Sequence, residues 1–130
     1  MQLARILVVD DEEPVRDLVS RVLYQAGYTV LTAGDGPDAL LGAELNPPID
    51  LLITDLLMPQ MYGDEVARQM RVRYPRLRVL YLTGHRNRLF THRPLLPDRE
   101  AFLDKPFTSD ELLEAISLLL YGRGFHRPLP

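Results

Sequence analysis

The stretch RILVVDDEEPV, residues 5–15, decides how this chain is to be read. Ile6 to Val9 form an apolar run with no polar interruption, which ends on Asp10, Asp11 and Glu12 before Pro14 opens a new pattern. A strand with one wet face alternates, whereas a continuous apolar run of strand length fits a strand buried on both faces. Helical spacing follows at once. Val15, Leu18, Val19, Val22, Leu23 and Ala26 fall at the intervals of one buried helix face, started by Pro14 and stopped by Gly27. A buried strand handing over to an amphipathic helix is half of a parallel crossover unit. The adjacent carboxylates at its end then need a reason.

The same alternation continues along the chain. Further strands are expected at Thr29–Thr32, Ile49–Thr54, Val79–Thr83 and Ala101–Leu103. DGPDALLGAEL from Asp35 reads as a second helix with Pro37 near its start. GDEVARQMRVRY from Gly63 reads as a third, with Val66, Met70 and Tyr74 on one stripe and arginines toward the end that the helix dipole favours for cations. The last helix opens with the capping-box pair Thr108 and Glu111 and buries Leu112, Leu113, Ile116, Leu119 and Leu120. Between the fourth and fifth strands, HRNRLFTHRPLLPD carries two prolines and little apolar period, so any helix there is short or irregular. The expected architecture is α/β, a five-stranded parallel sheet covered on both faces and joined by right-handed crossovers.

Bulk composition narrows the function. A chain of 130 residues suits one domain, expected over 1–121, with GRGFHRPLP at 122–130 a tail or the start of a linker. With 46% hydrophobic and 25% charged residues and a formal charge of -3, nothing attracts nucleic acid or an anionic membrane wholesale. The absence of cysteine excludes disulfides and thiolate metal sites and suits a reducing compartment, so the cytoplasm is the expected location. The N-terminus lacks the pattern of a signal peptide, and no apolar stretch is long enough to span a bilayer.

In open α/β sheets, ligands bind beyond the carboxyl ends of the strands. Strand one ends in Asp10, Asp11 and Glu12, strand three in Asp55 and strand four in Thr83, while strand five is followed by Lys105 and Pro106. Strand two ends in Ala33 and Gly34, without chemistry, as befits an edge strand far from the site in a 2-1-3-4-5 order. Each residue taken alone has an ordinary explanation as a turn, a helix start or a surface charge. Four strand ends supplying acids, a hydroxyl and a lysine together do not. Converging carboxylates repel unless a cation sits among them, and an all-oxygen set suits Mg²⁺ rather than Zn²⁺. Magnesium brings phosphate with it. Thr83 and Lys105 are placed to bind phosphoryl oxygens, which leaves Asp55 as the nucleophile.

The segments ILVVDDEE, DLLITDLLMPQMYGDEV, VLYLTG and AFLDKPF, in that order and spacing, resemble the receiver domain of two-component signalling, the response-regulator family, over residues 5 to about 121. The resemblance implies a flavodoxin-like, doubly wound fold and a phosphoacceptor role for Asp55. It also implies Mg²⁺ held by Asp11, Asp55 and the backbone carbonyl of Leu57, with Asp10 assisting through metal-bound water. Thr83 and Lys105 then contact the phosphoryl group, Thr83 and Phe102 form the switch, and a cis peptide precedes Pro106. Leu57 and His85 occupy positions that tune phosphate lifetime in the family, whereas His92 and His126 have no role. The implied partner is a sensor histidine kinase or phosphotransfer protein, with no direct nucleic-acid or membrane contact; oligomerisation on phosphorylation is compatible with it. The loop style around LPDREAFLDKPF resembles receivers of hybrid histidine kinases. Such a chain is a signalling domain catalysing only its own phosphoryl transfer and dephosphorylation. Two other readings stay open: a haloacid-dehalogenase-type phosphatase, whose Asp-x-Asp motif Asp10 and Glu12 only approximate, and a docking module independent of phosphorylation.

Overall fold

The computed structural model describes residues 4–84 and 99–122. Its elements are β1 (Arg5–Val9), α1 (Glu13–Gln25), β2 (Thr29–Ala33), α2 (Gly36–Leu45), β3 (Leu51–Asp55), α3 (Gly63–Arg73), β4 (Arg78–Leu82), β5 (Glu100–Leu103) and α4 (Ser109–Tyr121). The strands pair in parallel in the order β2-β1-β3-β4-β5. This is the expected sheet.

Alternate residues of each central strand feed opposite layers, which is why the strands read as unbroken apolar runs. Leu7, Val9, Leu52, Val79 and Tyr81 pack with Ala39 and Ala43 of α2 and Val66, Ala67 and Met70 of α3. On the other face Ile6, Val8, Leu51, Ile53, Leu80 and Leu82 meet Val19 and Leu23 of α1 and Leu112 and Ile116 of α4. The Asp35 side chain caps α2 by accepting from the Asp38 N–H at 2.8 Å, and the reciprocal Thr108–Glu111 box caps α4. Gly122, at φ 71°, ends α4 in the left-handed conformation that glycine adopts without strain.

The differences from the sequence reading are local. β3 begins at Leu51 rather than Ile49, because the Asp50 carboxylate accepts the Arg5 N–H at 2.9 Å and closes the strand entrance, and it runs on to include Asp55. β4 spans Arg78–Leu82, so Thr83 stands just past its end, and β5 starts one residue early, at Glu100. Leu18, expected on the buried face of α1, is 50% exposed, since the stripe that reaches the sheet is narrower and centres on Val19 and Leu23. In α4 only Leu112 and Ile116 are fully buried, with Leu113, Leu119 and Leu120 half-covered at the rim. The doubtful helix between β4 and β5, the three histidines, and residues 123–130 of the expected tail lie outside the described residues.

Candidate functional site

Parallel strands place all their carboxyl ends on one edge, and the site is built there. Asp10 follows β1 and is 1% exposed. Its Oδ1 accepts the Glu12 N–H at 2.9 Å, its Oδ2 the Lys105 ammonium at 3.1 Å, and its backbone carbonyl the Arg16 guanidinium at 2.7 Å. Asp55, the last residue of β3, is also buried; its Oδ1 accepts the Leu56 N–H at 2.8 Å and its Oδ2 lies 3.6 Å from Lys105 Nζ. Asp11 is exposed, yet a carboxylate oxygen from each of Asp10, Asp11 and Asp55 falls within 4.8 Å of the others. Glu12 stands at the rim, with Oε1 3.8 Å from Lys105 Nζ.

Lys105 reaches this cluster because the backbone beyond β4 and β5 is stitched together. The Thr83 N–H donates to the Leu103 carbonyl at 3.1 Å, and the Lys105 N–H donates to the Thr83 carbonyl at 3.4 Å. Thr83 is fully buried beside them, and the Lys105–Pro106 peptide is cis, as the resemblance implied. Leu57, two residues past Asp55, is half-buried against the core. Phe102 is half-buried next to Tyr81 in the β4–β5 register and packs on the layer formed by α2 and α3.

The electrostatics are unbalanced. Burial pushes the Asp55 carboxyl above its ordinary range; Lys105 opposes this, Asp10 adds to it, the Leu56 N–H opposes and Asp11 adds further. Burial alone would lower the Lys105 ammonium, but Asp10, Asp55 and Glu12 together hold it above its ordinary value. One lysine faces four carboxylates. A hard cation with oxygen ligands would relieve the excess, and the donors here are all oxygens, so the set fits Mg²⁺ chemistry and not that of a soft metal.

Three contributors went unread in the sequence. A Cβ on Gly63 would stand 2.2 Å from the Asp55 carbonyl oxygen and 3.0 Å from Thr54 Oγ1, so the start of α3 touches the backbone of Asp55 only because that residue is glycine. The Gly63 N–H donates to the Leu56 carbonyl at 2.8 Å, and the buried Thr54 hydroxyl donates to the Asp55 carbonyl at 2.8 Å. Arg16 holds the Asp10 backbone from α1. A glycine opening a helix carries little signal in sequence, because its tight contacts come from another element.

Comparison with known proteins identifies the family of the chain. The family model for the response regulator receiver domain matches residues 6–117. The response regulator MprA of Mycobacterium ulcerans is 40% identical over 116 residues, covering 89% of this chain and 50% of that protein. The sensor kinase CckA of Brucella abortus is 31% identical over 118 residues, 90% of this chain and 12% of the kinase. Among solved structures, the chemotaxis response regulator CheY4 of Vibrio cholerae superposes with a TM-score of 0.79 at 32% identity, covering 92% of this chain and 100% of that one. The chain spans about half or less of the length of the curated relatives it matches.

Proposed function

Since the chain belongs to the response regulator receiver domain family of two-component systems, we propose that it accepts a phosphoryl group on Asp55 from the phosphohistidine of a sensor histidine kinase or phosphotransfer protein and signals by changing conformation. The observation that carries this is the convergence of Asp10, Asp11 and Asp55 within 4.8 Å, with Lys105 reaching in from beyond β5. In the transfer, Asp55 Oδ attacks phosphorus, the P–N bond to the donor imidazole breaks, and the imidazole leaves with its electron pair. The acyl phosphate remains on Asp55. Lys105 offsets the negative charge of the group in flight, and the Thr83 hydroxyl binds one of its oxygens.

Receiver domains bind Mg²⁺ at an acidic pocket, and here Asp10, Asp11, Asp55 and the backbone carbonyl of Leu57 would hold it. When bound, it supplies positive charge to the phosphoryl oxygens. Recruitment of Thr83 and Lys105 draws the end of β4 toward Asp55, and Phe102 follows into the space released. A differential of about 5.5 kcal/mol would carry such a switch from 1:99 to 99:1. Leu57, being apolar, offers no partner for an attacking water and favours a long-lived acyl phosphate. The domain's state is passed on in the cytoplasm either to a separate partner or to other domains of the same protein. No helix among the described residues is long and apolar enough to cross a membrane.

The direct test is treatment with acetyl phosphate with and without Mg²⁺, followed by mass spectrometry of the intact chain and its peptides. Magnesium-dependent, base-labile phosphate on Asp55, absent from Asp55→Asn, is expected. Label on another carboxylate with Asp55 unmodified would overturn the assignment.

A further inference from the structure

The opposite edge of the sheet has its own charged feature. The run RVRYPRLR, residues 71–78, places four arginines within eight positions where α3 turns into β4. Arg73, Arg76 and Arg78 line a cleft of about 370 Å³ together with Ile49, Asp50, Tyr74, Pro75 and Leu77. Leu77 and Ile49 are buried, so the floor is apolar and the charge stands around it. A mainly apolar cleft of this size with a few polar groups is the usual form of a small-molecule site. β3 runs from beside this cleft at Leu51 to Asp55, which puts about 13 Å of strand between it and the acidic site.

The cleft's one acid, Asp50, keeps its charge but is outnumbered by three arginines. Asp50 is tied to the start of β1 in both directions: its carboxylate accepts the Arg5 N–H at 2.9 Å and its N–H donates to the Arg5 carbonyl at 3.0 Å. Arg73 has a loose, exposed contact with Glu44 at 3.8 Å. Among the described residues no carboxylate pairs with Arg76 or Arg78. Planar guanidinium forks, weakly hydrated and rich in donors, suit phosphate oxygens better than isolated ammonium groups do.

We propose that this cleft binds an organic phosphate bearing at least two phosphate groups, of the nucleoside diphosphate class. Its phosphates lie on Arg73, Arg76 and Arg78, and its apolar body covers Tyr74 and Pro75. The site is independent of phosphoryl transfer at Asp55 and gives the domain a second input at the far end of the same sheet.

The test is titration of the full chain with ADP, in EDTA so that no metal links the ligand to the acidic edge, followed by backbone amide shifts and calorimetry. Saturable binding with shifts confined to residues 49–50 and 73–78 is expected. Affinity should fall at least about tenfold in R76Q/R78Q, the scale of losing one or two charge-assisted hydrogen bonds. Phosphorylation of Asp55 by acetyl phosphate should be unchanged in that variant, which shows it folded. Pyrophosphate should bind more weakly than ADP, and adenosine not at all. The absence of saturation, or undiminished binding in the double variant, would overturn the site. Pyrophosphate matching ADP would overturn its assignment to an organic phosphate.

Discussion

Two charge clusters bracket β5, and they are built on opposite plans. At its start the Glu100 side chain, fully shielded from solvent, binds the Arg71 guanidinium and accepts the Tyr81 hydroxyl at 3.2 Å, while Arg71 Nη2 donates to the Leu77 carbonyl at 3.0 Å. Each charge there has a partner of opposite sign. Beyond its end, Lys105 faces Asp10, Glu12 and Asp55, with Asp11 beside them. Each cluster has buried carboxylates at its centre, Glu100 in one and Asp10 and Asp55 in the other, so burial does not tell them apart; the balance of charge does. A balanced cluster needs nothing further and serves the fold, whereas an unbalanced one is costly until a ligand completes it.

The comparison breaks most visibly at Glu100. Glu100→Ala leaves Arg71 without its partner, and since that side chain is only 22% exposed the loss should be about 3 kcal/mol in urea unfolding. Glu100→Gln keeps one oxygen that can accept from both neighbours but not the charge that balances Arg71, so it should recover only part of that loss. Phosphorylation of Asp55 by acetyl phosphate should survive in Glu100→Gln. A Glu100→Ala variant as stable as the wild type would show that the two clusters are not energetically different.

Magnesium sharpens the other side. With the acidic cluster as the proposed Mg²⁺ site, preferential binding to the folded state means that Mg²⁺ at a hundred times its Kd should stabilise the protein by about 2.7 kcal/mol, read as a rise in Tm. Asp11→Asn removes a ligand and should lose most of that shift, while costing the metal-free protein nothing, since it relieves repulsion around Asp55. An undiminished shift in Asp11→Asn would remove the residue from the site. Glu100→Gln should keep the full shift. Smaller again is Tyr81→Phe, which deletes one hydroxyl bond to Glu100 and should cost about 1 kcal/mol.

How much of this was legible in sequence follows from whether each feature is local. The strand at Ile6–Val9 and the acids after it are neighbours in the chain, and so are Thr83 and Lys105 with their strands; the acidic edge could therefore be assembled from strand ends and a parallel order. Gly63 could not, because what it touches is the carbonyl of Asp55 on a different element. Arg71 read as a helix-end cation, favoured there by the dipole; its partner Glu100 lies 29 residues away and shows no pairing in sequence. Leu18 fitted the helical period, but the period defines a stripe and not its width, and packing against the sheet reaches only Val19 and Leu23 fully.

The smallest expected effect is the pH dependence that the imbalance itself imposes. Burial first, then Asp10 and Asp11, raise the Asp55 carboxyl above its ordinary range against the pull of Lys105 and the Leu56 N–H. In the unfolded chain the group titrates at about 3.9. Between that value and its raised folded value the folded state holds the proton more firmly, so its contribution to stability is intact at lower pH, falls as pH rises through this window and stays at its minimum above it. Lys105 is raised as well, but its contribution is lost only as pH passes its alkaline folded value, far outside the window. Asp55→Asn has no proton to hold. In EDTA, the stability of wild type minus that of Asp55→Asn should therefore decline from acid pH toward neutrality and then level off. A difference that rises with pH would mean that Lys105 and the Leu56 N–H outweigh burial, and that the acidic edge is balanced after all, like the cluster at Glu100.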